Sequence, residues 1–135
     1  MIHLDTSLLI DLSRETARDR PGPAMDALDA IDEHEILAVS VYVECELRVG
    51  AELARRPLVE HEELDRLLSG LLVVYPDARF AAEYGRILAS IHRQRQRIAT
   101  MDLLIGTVAV LDHAPLITRN VKAFSRIPGL RVIGY

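Results

Sequence analysis

The run Ile36–Val41 (ILAVSV) is a continuous, largely apolar and partly β-branched stretch. A strand of this kind wants cover on both faces, the environment that parallel sheets with helical crossovers provide. Similar short runs recur at Ile2–Leu4, at Leu71–Tyr75, from Leu116-Ile117 and at Leu130–Ile133. Between them lie stretches of helical periodicity. Thr6 to about Arg14 places Leu8, Leu9 and Leu12 on one side, and Pro23 suits the first turn of a helix to about Asp32. Helical spacing returns from Tyr42 to about Arg55 and from Leu58 to Leu68, where Gly70 is a plausible stop. After Pro76, Asp77 is placed to cap a helix to about Arg95, and Thr100 one to about Asp112. Val121–Ser125 reads as a short helix. The segment Glu15–Pro23, charged and carrying Pro21, Gly22 and Pro23, reads as a loop.

Strands alternating with helices predict one α/β domain over residues 1–135, with a mostly parallel central sheet flanked by helices and right-handed crossovers. Hydrophobic residues make up 50% of the chain and Trp is absent, so the core must be aliphatic. Asp26, Asp29, Asp32 and Glu33 are expected on the wet face of the second helix. The formal net charge of −4 argues against attachment to nucleic acid by overall field. It leaves room for a nucleic-acid enzyme in which a bound metal supplies the positive charge. The single cysteine, Cys45, excludes an internal disulfide and suits a reducing compartment. The N-terminus lacks signal-peptide character and no apolar run reaches membrane-span length, so a soluble cytoplasmic protein is expected.

The acids that could carry chemistry lie at predicted strand ends and helix starts. The first strand stops abruptly at Asp5-Thr6-Ser7. Parallel sheets bind ligands beyond the carboxyl ends of their strands, where Asp5 would sit, although all three residues are also good N-caps. Asp102 opens MDLLIGTVAVLD, a helix apolar almost all round and therefore central. An acid in a first helical turn also complements the macrodipole. Gly106, one turn on, would allow close packing. Glu44 and Glu46 lie two apart and cannot face one site, because such positions point about 200° apart on a helix. Glu44 precedes Arg48 by four, the order of a surface ion pair, so Glu46 is assigned to the site and Glu44 to solvent. Gly50, one turn after Glu46, would leave room for a neighbouring backbone or a substrate. Thr118 and Asn120 follow the Leu116-Ile117 strand and can reach the same edge as Asp5, or form a turn in which Asn120 caps the short helix.

Three crowded carboxylates raise one another's proton affinity unless a cation joins them. All-oxygen donors suit Mg²⁺, or Mn²⁺, rather than zinc. The five histidines are scattered without ligand spacing, and Walker A, dinucleotide-binding and nucleophile-elbow motifs are absent.

These stretches, in this order, resemble PIN-domain ribonucleases, specifically the VapC-type toxins of bacterial toxin–antitoxin modules. The likeness runs through LDTS (Leu4–Ser7), ELRVGA (Glu46–Ala51), DLLIGTVAV (Asp102–Val110) and LITRNVKAFSRIPGLRVI (Leu116–Ile133). It implies that Asp5, Glu46 and Asp102 hold the metal and are required for activity. A fourth family position, Asp or Asn in many members, falls on Asn120, with Thr118 near it. Asn120 brings no charge. Val43 stands where many relatives have Thr or Ser, which leaves Ser40 to cap that helix.

The resemblance implies a Mg²⁺-dependent endoribonuclease toxin cleaving single-stranded regions of tRNA or rRNA with a metal-activated water. It further implies a homodimer, a cognate antitoxin covering the site, and an antitoxin arginine paired with the acids. Two other readings share these residues: a non-catalytic module binding a basic protein tail, and a related metal-dependent nuclease in DNA cleavage or RNA processing. The basic stretch HRQRQR (His92–Arg97) either contacts RNA phosphates or simply favours a helix C-terminus and solvent.

Overall fold

The structure is a computed structural model and describes residues 1–135. Its strands are β1 (Ile2–Leu4), β2 (Leu37–Ser40), β3 (Leu72–Val74), β4 (Leu116–Ile117) and β5 (Val132–Ile133). Its helices are α1 (Thr6–Ala17), α2 (Pro23–Asp29), α3 (Val41–Glu52), α4 (Pro57–Ser69), α5 (Phe80–Arg93), α6 (Thr100–Leu111) and α7 (Val121–Phe124). The sheet is parallel throughout, in the order β3-β2-β1-β4-β5. β1 therefore lies at its centre, with His3 opposite Ala38 on one side and Leu116 on the other. The chain builds outward from β1 through β2 and β3, then crosses back to β4. That reversal at β1 is where a doubly wound sheet opens a crevice at its strand ends.

The core is aliphatic, as the composition requires. Leu4, Leu8, Leu9, Val39, Val43, Ile87, Ile91, Leu103, Leu116 and Ile117 are buried together, and Phe124 is the one aromatic fully enclosed with them. Burying each such side chain stabilises the fold by about 1.5–3 kcal/mol. In α6, Leu103 and Ile105–Ala109 are all buried, so the helix is enclosed on most sides. Gly106 supplies the close packing expected of it: a Cβ there would collide with Ile127 Cδ1. His3 is buried and meets Asp112 at the end of α6, with Nε2 2.6 Å from Oδ2. Burial pushes its imidazole below the ordinary range against the opposing pull of Asp112.

Several boundaries differ from expectation, each for a local reason. Helix α1 runs to Ala17 rather than Arg14, so Glu15 lies inside it. The Glu15 carboxylate accepts from Ala24 N (2.9 Å) and Met25 N (2.8 Å), filling the cap that Gly22 cannot offer to α2. Helix α2 stops at Asp29, short of Asp32, because Asp32 builds its own turn with His34 N and Glu35 N. Strand β2 is shorter than the apolar run: Ile36 is 54% exposed and Val41 already belongs to α3. Asp77 does not cap α5. It holds Arg79 N and the Arg79 guanidinium, and Arg79 takes the cap position. Thr100 is the first residue of α6, and Ala99 occupies its cap without a side-chain bond. Asp26, Asp29, Asp32 and Glu33 are exposed, as expected. No helix is long and apolar enough to cross a membrane.

The Glu15 bridge yields a prediction. Glu15→Ala uncaps α2 and should cost about 1 kcal/mol. Thermal unfolding is then expected a few degrees lower. An unchanged transition would show that the bridge contributes nothing.

Candidate active site

Three carboxylates converge beyond the carboxyl end of β1. Asp5 follows β1 directly, Glu46 projects from the second turn of α3, and Asp102 lies in the first turn of α6. Asp5 occupies the N-cap position of α1 but makes no side-chain capping bond. Its Oδ2 instead accepts from Thr118 Oγ1 at 2.7 Å and from Ser7 Oγ at 2.9 Å. Asp5 is 5% exposed and Thr118 fully buried, so these are short bonds inside the protein. Glu46 is fixed similarly, its Oε1 accepting from Thr6 Oγ1 at 2.7 Å. Thr6 and Ser7, which the sequence suggested as caps, are thus spent on orienting two acids. The hydroxyls immediately after Asp5 were the available sign of this arrangement.

Asp102 receives no hydrogen bond. Its carboxyl is pushed above the ordinary aspartate range, first by burial, then by the charge of Asp5 and then by that of Glu46. That coupling brings the three residues into one electrostatic neighbourhood. None of the three is paired with a Lys, Arg or His. Asp5 Oδ1, Glu46 Oε2 and both Asp102 oxygens have no protein partner, yet no partnerless side-chain oxygen is sealed away from solvent. Each acid therefore keeps at least one oxygen available to an incoming group.

Asp5, Glu46 and Asp102 are expected to hold the metal directly or through waters. No three of the Asp, Glu, His and Cys groups are close enough to chelate one cation. The hydroxyl bonds hold Asp5 and Glu46 in place. Such spacing still fits Mg²⁺, which retains several waters and takes only one or two carboxylates alongside substrate phosphates.

Thr118 joins the site through Asp5. Asn120 contributes its backbone N–H, which donates to Thr118 Oγ1 at 3.0 Å, while its side chain bonds to nothing and caps nothing. Arg119 turns away, its Nη1 donating to both carboxylate oxygens of Asp11 (2.8 and 2.9 Å). Tyr135 also donates to Asp11, at 2.7 Å, and burial with that bond drives its phenol up to about 12. Ser40 Oγ accepts from Val43 N at 3.3 Å, the cap expected of it. Glu44 pairs with Arg48 at 3.3 Å, the ion pair expected of it, and Arg48 bridges from α3 to Asp65 of α4 at 2.6 Å. Nothing lies within 4 Å of a Cβ at Gly50, so no neighbouring backbone uses the room there.

A family model for the PIN domain matches residues 2–130. Among curated proteins, Ribonuclease VapC2 of Rickettsia felis is 28% identical over 127 residues, covering 94% of this chain and 92% of that one. Ribonuclease VapC1 of Haemophilus influenzae is 28% identical over 128 residues, covering 95% and 92%. Among solved structures, VapBC2 from Rickettsia felis bound to a promoter DNA fragment superposes with a TM-score of 0.86 at 26% identity, over 100% of this chain and 99% of that one. VapBC-1 from nontypeable Haemophilus influenzae gives 0.87 at 27% identity, over 99% and 98%. A toxin–antitoxin complex from Klebsiella pneumoniae gives 0.72 at 27% identity, over 98% and 96%.

Proposed function

Since this chain belongs to the PIN domain family, we propose that it is a divalent-metal-dependent endoribonuclease, the toxin of a toxin–antitoxin pair. The observation that carries this reading is the trio Asp5, Glu46 and Asp102, the last raised by the charges of the other two, unpaired with any base, and each with an oxygen to spare. The names of the relatives from Rickettsia felis and Haemophilus influenzae as ribonucleases support it.

Asp5, Glu46 and Asp102 would hold Mg²⁺ or Mn²⁺ directly or through waters. When bound, such a cation supplies Lewis-acid charge at the scissile phosphate and favours ionisation of a neighbouring water. The chain's own groups do the rest. Ser7 and Thr118 fix one oxygen of Asp5 and leave the other without a protein partner. Thr6 does the same for Glu46. Asp102, whose proton affinity is already raised, is the acid suited to accept a hydrogen bond from the attacking water and to orient it. Asn120 adds a neutral oxygen at the mouth of the site. No covalent intermediate with the protein is needed.

The substrate in this reading is a single-stranded region of tRNA or rRNA, where unstacked bases can be read. The active chain is a homodimer, and a cognate antitoxin restrains it. The toxin–antitoxin complex from Klebsiella pneumoniae supports such a partner. An antitoxin covering the site would meet three unpaired carboxylates and is expected to bring an arginine to them.

In the test, antitoxin-free protein is incubated with RNA and with DNA, with EDTA and with Mg²⁺ or Mn²⁺ restored. RNA cleavage that stops on chelation and returns with metal is expected. Asp5→Asn, folded by circular dichroism, should lose more than the about 10–100-fold that removal of a supporting partner costs a metal site. Cleavage that persists in metal-free buffer would defeat the reading, and so would a chain that binds its antitoxin but cuts no RNA.

A further inference from the structure

The turn after α5 and the short helix α7 face one another across a cleft of about 610 Å³. Its walls carry Arg95, Arg97, Lys122 and Arg126, with the amides of Gln94 and Gln96 between them, and no acidic or apolar residue lines it. None of the four cations takes part in an ion pair. In a chain of net charge −4, four unneutralised cations converge here from two distant segments. The C-terminal dipole of α5 does not account for them. His92 and Arg93 already occupy its last turn, Arg95 and Arg97 lie beyond its end, and Lys122 and Arg126 belong to another part of the chain.

The cleft is built rather than draped. Arg95 sits in the left-handed region at φ +56°, and Arg95 N and Gln96 N donate back to His92 O and Ile91 O at 2.9 and 3.1 Å. Arg126 Nη1 donates to the Arg97 carbonyl at 2.8 Å, so one wall braces the other. Both walls are also joined to the acidic site by short lengths of chain. Arg97 leads along the chain to Asp102, and Lys122 follows Thr118 and Asn120.

We propose that this cleft holds backbone phosphates of the RNA strand next to the bond being cut, with Arg95, Arg97, Lys122 and Arg126 as positioning residues. The proposal rests on the ribonuclease reading. An acidic protein segment is the other polyanion that such charges attract, but protein interfaces need an apolar centre and this cleft has none. Nucleic-acid interfaces are polar and strongly positive, as this one is. The division of labour is direct: the acids and their cation act at one phosphate, and the cleft grips its neighbours.

The experiment uses the double variant Arg97→Gln/Lys122→Gln, which spares the Arg126 brace. Its thermal unfolding is matched to wild type to establish folding. Affinity for a fluorescent oligo-uridine is measured across a salt series, with Asp5→Asn as background so that cutting does not intrude. Each phosphate left without its cation should flatten the slope of log affinity against log salt by about 0.7, hence about 1.4 for the pair. In the cleaving background, KM should rise at low salt with kcat little changed. Equal salt slopes and equal KM in a folded variant would overturn the proposal. So would lost binding to poly-glutamate with RNA binding intact, which would assign the cleft to an acidic protein. If the wild type binds oligo-uridine with the steeper slope but never cuts RNA, the ribonuclease reading falls while the cleft stands.

Discussion

In metal-free buffer at neutral pH, the Asp102→Asn chain is expected to unfold at a higher temperature than wild type, and with Mg²⁺ restored it is expected to cleave no RNA. Asp102 is half-buried, receives no hydrogen bond, and faces the charges of Asp5 and Glu46. Its folded-state proton affinity is therefore raised above the ordinary aspartate value of 3.8. The sign follows from linkage: the stability contributed by protonated Asp102 is fully present below the unfolded value and is lost as pH rises through the raised folded value. At pH 7 the ionised side chain burdens the fold, and asparagine removes that charge at nearly constant shape. Relief of such a functional strain commonly gives about 0.5–2 kcal/mol, worth a few degrees in a domain of this size. The gap between variant and wild type should shrink as pH falls toward 3.8. Mg²⁺ should raise the wild-type transition more than that of the variant, because a ligand stabilises only the state that binds it. A variant no more stable than wild type at any pH would mean that the three acids do not burden one another.

Phe124→Ala is expected to be the most damaging core change, costing about 3–5 kcal/mol out of a total of about 5–15. Phe124 is fully buried, yet it belongs to a helix of 4 residues, too short to persist without packing. It is the one buried residue of α7, a helix that packs on α6. The Thr118–Asn120 turn enters α7 directly, and Thr118 holds Asp5. Loss of the ring should thus weaken the site as well as the fold. Denaturant unfolding would show a lowered midpoint, and residual folded protein should cut RNA more slowly. Phe124→Leu should recover most of both. A midpoint within about 1 kcal/mol of wild type would mean that the surroundings collapse onto the vacancy at little cost.

The parallel architecture was legible because runs such as ILAVSV admit few alternatives, and because Pro23 and Pro76 mark boundaries that local chemistry dictates. The short helix at Val121 and the Ser40 cap were legible for the same reason. What escaped was side-chain traffic between distant segments. Glu15 looks like part of a loop until α2 is seen resting on its carboxylate. Thr6 looks like a cap because cap preference is a local signal, whereas its partner Glu46 is brought to it by the packing of α1 on α3. Asp77 and Thr100 mislead similarly, each carrying cap preference into a place where the backbone turn is set otherwise. The basic stretch at 92–97 was visible, but its opposite wall, Lys122 and Arg126, meets it only in three dimensions.

The central place of β1 has a consequence for the newborn chain. Its neighbour β4 is nearly the last strand to be made, and the hydroxyl that steadies Asp5 arrives with Thr118. The first acid translated therefore waits for almost the whole polypeptide before its surroundings close. Pairings between such remote segments form slowly. Until Thr118 is in place, Asp5 lacks one of the two hydroxyls that hold its carboxylate, so the order of the strands makes the site among the last features to be completed.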